Sequence, residues 1–121
     1  MFTATLNYYH DTRINCLRSY QYGDEYLYIY LLLVRMVQDD HVECRLLIDK
    51  DTPHTKESLF KILPYSERIK TEAFELMDAL GLLEYVNGIY FVNTNGIFEY
   101  DDDPEKEKAV AEYILQQLRA M

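Results

Sequence analysis

Tryptophan is absent from this 121-residue sequence, cysteine occurs twice, proline three times and glycine four times. The two cysteines, Cys16 and Cys44, belong to no Cys-x-x-Cys pair, so neither a disulfide framework nor a zinc site can be assembled from them. Both read as reduced, buried thiols. The four glycines form no phosphate-cradling loop, which excludes the nucleotide-binding turns of P-loop and dinucleotide folds. His10, His41 and His54 lie far apart and outside any metal or nucleophile motif. His54, beside an expected helix start, reads as a capping or surface residue. The run Asp101-Asp102-Asp103 lacks the spacing and the closing Glu of a calcium loop. The longest apolar run, residues 27–34, is too short to span a membrane, and the polar N-terminus, which reaches Asp11 quickly, carries no signal sequence. Basic residues are scarce too: twelve Lys and Arg stand against twenty-one Asp and Glu, a net charge of -9. These absences lead to the expectation of a soluble, cytoplasmic non-enzyme with no catalytic residue, no cofactor, no metal and no membrane partner.

What is present is ordinary for a single globular domain with a real core: 49% hydrophobic residues and a mean hydropathy of -0.29. The aromatic content is unusual, because twelve tyrosines carry most of it. Tyrosine supplies apolar area while keeping a wet hydroxyl, which suits half-exposed helix faces, surface-proximal core and interfaces.

Residues 52–93 organise the chain. Thr55 can cap a helix through the amides of Lys56, Glu57 and Ser58, and that helix, carrying Leu59, Phe60, Ile62 and Leu63, must stop at Pro64. Ser66 caps a second helix over residues 67–80, with Ile69, Ala73, Leu76, Met77 and Leu80 on one face. Gly81 is the expected left-handed residue after it. Two apolar runs, 82–86 and 89–92, then flank Asn87-Gly88, the strongest short hairpin signal. Helix, turn, helix and two-stranded wing spell a winged helix, the second helix being the recognition helix. The expected fold is therefore α+β and mainly helical: a winged helix-turn-helix with a small antiparallel β-sheet and a C-terminal helix.

Residues 3–9 alternate weakly and suit a short strand or an extended arm. Asp11 or Thr12 can cap a helix over 13–20 whose inward face is Ile14, Leu17 and Arg18. Gly23-Asp24 breaks and restarts the chain, and residues 26–37, apolar almost all round, form the buried spine. After a polar turn at Asp39-Asp40-His41, residues 42–48 alternate as a third strand of the wing sheet. Asn95-Gly96 makes a second turn. The domain is expected to end near residue 100. Residues 101–121 then form an acidic linker and an amphipathic helix, with Val110, Ile114, Leu118 and Met121 in one stripe. That helix packs back on the domain or pairs two copies into a homodimer. The expected core is Leu31, Leu33, Leu59, Ile69, Leu76 and Leu80.

Charge is unevenly distributed. Between residues 53 and 71, Lys56, Lys61, Arg68 and Lys70 face Glu57 and Glu67, a local +2, whereas residues 99–108 hold six acids and two lysines, a local -4. The recognition helix starts basic and turns acidic at Glu72, Glu75 and Asp78. A helix entering the groove by its N-terminal end can use that order. The candidate DNA-binding residues are Lys56, Lys61, Arg68, Lys70 and Thr71, with Asn87 and Gly88 at the wing tip. Arg68 and Lys70 are equally explained as solvated side chains with acidic partners four residues on, such as Glu72.

At the level of motifs, Gly23-Asp24-Glu25-Tyr26-Leu27-Tyr28-Ile29-Tyr30-Leu31-Leu32-Leu33 resembles the Gly-Asp-x-Tyr-x-x-Ile-Tyr-Leu signature of the N-terminal domain of phage replisome organiser proteins. Pro53-His54-Thr55-Lys56-Glu57-Ser58-Leu59, Leu80-Gly81-Leu82-Leu83-Glu84 and Asn87-Gly88-Ile89-Tyr90 follow in the same order, after a similar opening at Tyr9-His10-Asp11-Thr12-Arg13-Ile14. The likeness covers roughly residues 6–93. It implies a DnaD-like winged-helix module that binds duplex DNA and helps assemble replication proteins at a phage origin. Family members continue into a second domain that handles the helicase-loading partner, whereas this chain ends at Met121 and is strongly acidic. An acidic winged helix of this kind also fits a second role, as a phage-encoded inhibitor that binds a host or defence protein by occupying its nucleic-acid channel.

Overall fold

The computed structural model describes residues 1–101, 112, 113 and 115–119. It begins with β1 (Phe2–Ala4) and a 3-10 turn at Tyr8–His10. Asp11, rather than Thr12, caps α1 (Thr12–Arg18): its carboxylate accepts the amides of Arg13 and Ile14 and also holds the Arg13 guanidinium at 2.9 Å. These bonds occupy donors that a helix start leaves open. α1 buries Ile14 and Leu17. Arg18, expected beside them, is exposed, because an uncompensated cation cannot be taken from water cheaply.

The spine is α2 (Gly23–Met36), which packs on α1. Its buried residues Tyr26, Ile29, Tyr30, Leu33 and Val34 recur at three- and four-residue steps, as one helix face requires. Tyr30 is fully buried, and its hydroxyl donates to the Asn93 carbonyl at 2.7 Å. Gly23 is fixed by proximity. A Cβ built there would lie 2.3 Å from the Arg18 carbonyl oxygen.

After a 3-10 turn at Gln38–Asp40, β2 (Leu47–Asp49) pairs with β3 (Thr52–Pro53). Thr55 caps α3 (Lys56–Ile62) by accepting the Ser58 amide, and the Ser58 hydroxyl oxygen accepts the Thr55 amide in return, a capping box. Leu63, before Pro64, is already extended. Ser66 accepts the Ile69 amide to start α4 (Glu67–Ala79), which also packs on α2. Gly81, at φ 73, ends it: the Leu82 amide reaches the Met77 carbonyl and the Gly81 amide the Asp78 carbonyl, closing the last turn. β4 (Leu83–Val86) and β5 (Ile89–Val92) pair across a two-residue turn in which Asn87 and Gly88 both have positive φ, 52 and 82. β6 (Phe98–Tyr100) pairs antiparallel with β1, so the described domain closes on its own N-terminus.

The fold is thus α+β with small antiparallel sheets, and it departs from expectation in four places. The strand expected over 42–48 is broken, since Cys44 takes φ 59. Only residues 44–46 lie beside β5, through one bridge between Arg45 and Phe91 and backbone bonds linking Cys44 to Val92 and Leu46 to Tyr90. The inward face of α4 is centred on Ala73, Phe74 and Met77; Ile69, Leu76 and Leu80 are only half-buried on its flank. Of the expected core, Leu33 and Leu59 are fully buried and Leu31 is peripheral. Cys16 is half-buried, whereas Cys44 is buried; both are free thiols. In the tail, Glu112, Tyr113 and residues 115–119 are helical and exposed, Leu118 included. Val110, Ile114 and Met121 of the expected stripe lie outside the described residues. Among the described residues, no helix is long and apolar enough to cross a membrane.

Candidate functional site

α3, the short link and α4 present one continuous surface, and the hairpin β4–β5 extends it. The capped first turn of α4 faces solvent, and Arg68 there is 79% exposed. Its Nε donates to Glu72 Oε1 at 3.1 Å, while the other Glu72 oxygen accepts the Tyr26 hydroxyl at 2.5 Å. The Tyr26 hydrogen bond, and after it the Arg68 contact, hold the Glu72 carboxyl below its ordinary range. Burial and the Glu72 bond push the Tyr26 hydroxyl up to about 12. Arg68 is therefore exposed but tethered to the i+4 carboxylate.

Lys70 is engaged elsewhere. Its ammonium donates to the Phe60 carbonyl in the last turn of α3 at 2.6 Å and lies 5.3 Å from the Phe60 ring centroid. A cation at that end complements the partial negative charge of the helix terminus. Lys70 joins the two helices instead of reaching outward. Lys56 lies 5.4 Å from the centroid of the same ring, and Lys61 is exposed. Thr71 is half-buried on α4 beside Lys56. Asn87 and Gly88 form the hairpin tip.

α4 carries Glu67, Arg68, Lys70, Glu72, Glu75 and Asp78, four acids against two cations, a net -2, and one of those cations, Lys70, is bound to the end of α3. The hairpin adds Glu84 and no cation. Between α4 and the hairpin lies a groove of about 240 Å³. Phe74, Leu83, Tyr85 and Tyr90 wall it, Lys56 and Thr71 border one end, and Glu75 and Asp78 lie on the α4 side. This groove is absent from the sequence reading, although its signal was available. A two-residue turn at Asn87-Gly88 forces Tyr85 opposite Tyr90, and their rings meet at 4.5 Å. Glu75 and Asp78, three residues apart, share a helix face.

Compared with known proteins, the chain matches no family model, no curated protein and no solved structure.

Proposed function

We propose that the domain is a winged helix and that it binds duplex DNA, in the manner expected of a phage replisome organiser's N-terminal module. The observation that carries this reading is the order of parts: α2, the 44–46 segment bridged to β5, α3, α4 and then the hairpin. In that arrangement α4 is the recognition helix, the hairpin is the wing, and the 44–46 segment is the third strand between the first and second helices. Arg68 and Lys61 contact phosphate, Thr71 and Lys56 lie behind them, and Asn87-Gly88 approaches the backbone at the wing tip. Lys70 holds α3 against α4 and sets the angle between them. A mobility-shift titration at low salt tests the reading. Each of Arg68→Ala and Lys61→Ala should flatten the salt dependence by about one unit of slope, while Lys70→Ala acts chiefly on stability. No shifted band on duplex DNA at low salt would overturn it.

A second reading has its own observation. The net -2 of α4, with Lys70 engaged by the end of α3, and a wing whose one charge is Glu84, favour a basic protein partner over phosphate. In that case the winged helix serves as a protein-binding module, an inhibitor of a host or defence protein. Co-purification with a basic protein, without DNA affinity, supports it.

A further inference from the structure

The groove between α4 and the hairpin is built for a cationic group, and we propose that it takes an arginine side chain from a basic segment of a partner protein. Its wall is a run of aromatic rings. Phe74 meets Tyr90 edge-on at 5.9 Å, and Tyr90 lies against Tyr85 at 4.5 Å. Tyr85 is 60% exposed, so its ring is open to a ligand beside its cross-strand partner Tyr90. Glu75 and Asp78 stand on the facing helix, both exposed, and both residues line the groove. Aromatic faces attract a cation through the negative face of the ring, and paired carboxylates accept its donors.

The shape selects among cations. A guanidinium is planar, stacks on a ring and presents a fork of donors that two carboxylates can share, whereas a lysine ammonium is a compact, strongly hydrated point charge. Glu75 and Asp78 repel phosphate, so a nucleic-acid backbone is the wrong occupant for this half of α4. Lys56 also lines the groove, and its ammonium lies 5.4 Å from the Phe60 ring centroid. The two ends of α4 then divide the work: its first turn carries Arg68 beside Glu67, and its last two turns carry Glu75 and Asp78 without a cation. The inference does not depend on the DNA reading, because a chain with no DNA affinity can be tested for it equally well.

The test is an NMR titration of the full chain with two blocked peptides, one of alternating Arg and Gly and one of alternating Lys and Gly. The arginine peptide should shift the resonances of Tyr85, Tyr90, Glu75 and Asp78 and bind several-fold more tightly than its lysine counterpart. Glu75→Gln combined with Asp78→Asn, and separately Tyr85→Ala, should each weaken it about tenfold or more. All three positions are exposed, so the unperturbed spectrum elsewhere reports that the fold is intact. Equal binding of the two peptides would overturn the inference, since that is charge attraction alone. Shifts confined to other acidic segments such as Asp101, or affinity unchanged by the variants, would overturn it as well.

Discussion

At the scale of single residues, close approach and burial decide what can be changed. Gly23 carries no side chain because the Arg18 carbonyl occupies that space, 2.3 Å from where a Cβ would stand. Gly23→Ala must therefore force the α1–α2 corner apart. It should lower stability by about 1–3 kcal/mol or more, read as a lower urea midpoint with unchanged slope. Met77 and Leu76 make an informative pair, because the sequence periodicity places both on the buried face and the structure does not. Met77→Ala removes a fully buried side chain and should cost about 2–5 kcal/mol. Leu76→Ala removes a half-buried one on the flank and should cost clearly less. Equal losses in a denaturation series would mean that the inward face of α4 is centred on Leu76 after all.

At the scale of elements, the helix starts are strongly specified. Thr55, Ser66 and Asp11 each supply an oxygen to amides that would otherwise have no partner. Ser66→Ala should cost about 0.5–2 kcal/mol and fray the first turn of α4, the turn that holds Arg68. Hydrogen exchange at Arg68 and Ile69 should accelerate in that variant, with the hairpin unaffected. The hairpin depends on a different device. Asn87 and Gly88 adopt left-handed backbone, which matches the twist of the strands they join. That turn sets the register, and the register puts Tyr85 against Tyr90. A groove thus follows from a two-residue turn.

At the scale of the whole molecule, stability should narrow at both ends of the pH range. Asp11 and Asp40 are held below the ordinary carboxylate range first by hydrogen bonds from Arg13 and Arg45, and Glu72 first by the Tyr26 hydroxyl. A depressed folded pKa means that the unfolded chain binds more protons, so this stability is complete above about pH 5 and is lost as pH falls through the folded values. Tyr26 works in the opposite sense. Its hydroxyl is raised from 10.0 to about 12, so its contribution is complete below pH 10 and is lost as pH rises towards 12. Urea midpoints across pH should fall in both windows; because burial raises Tyr30 further still and also raises Tyr8, Tyr65 and Tyr90, Tyr26→Phe should remove only part of the alkaline fall.

The sequence by itself determined the local grammar. Caps at Thr55 and Ser66, the stop at Pro64, the reversal at Gly81 and the turn at Asn87-Gly88 are legible because each rests on chemistry within a few residues of itself. The apolar period likewise identified α2 as the spine. What lay beyond the sequence depends on partners far along the chain. The pairing of β1 with β6 joins residues almost a hundred positions apart, and neither strand is long enough to announce it. The break at Cys44 follows from the position of β5. The face that α4 buries is set by how it lies on α2, so a period of 3.6 finds the stripe and leaves its rotation open. The fate of the candidate cations is tertiary too. Lys70 and Arg68 look alike in sequence, but the end of α3 happens to lie within reach of one, and Tyr26 anchors the carboxylate that holds the other. A side chain's reach is several residues long in space and undefined in sequence, which is why the cations could be counted from the chain and their contacts could not.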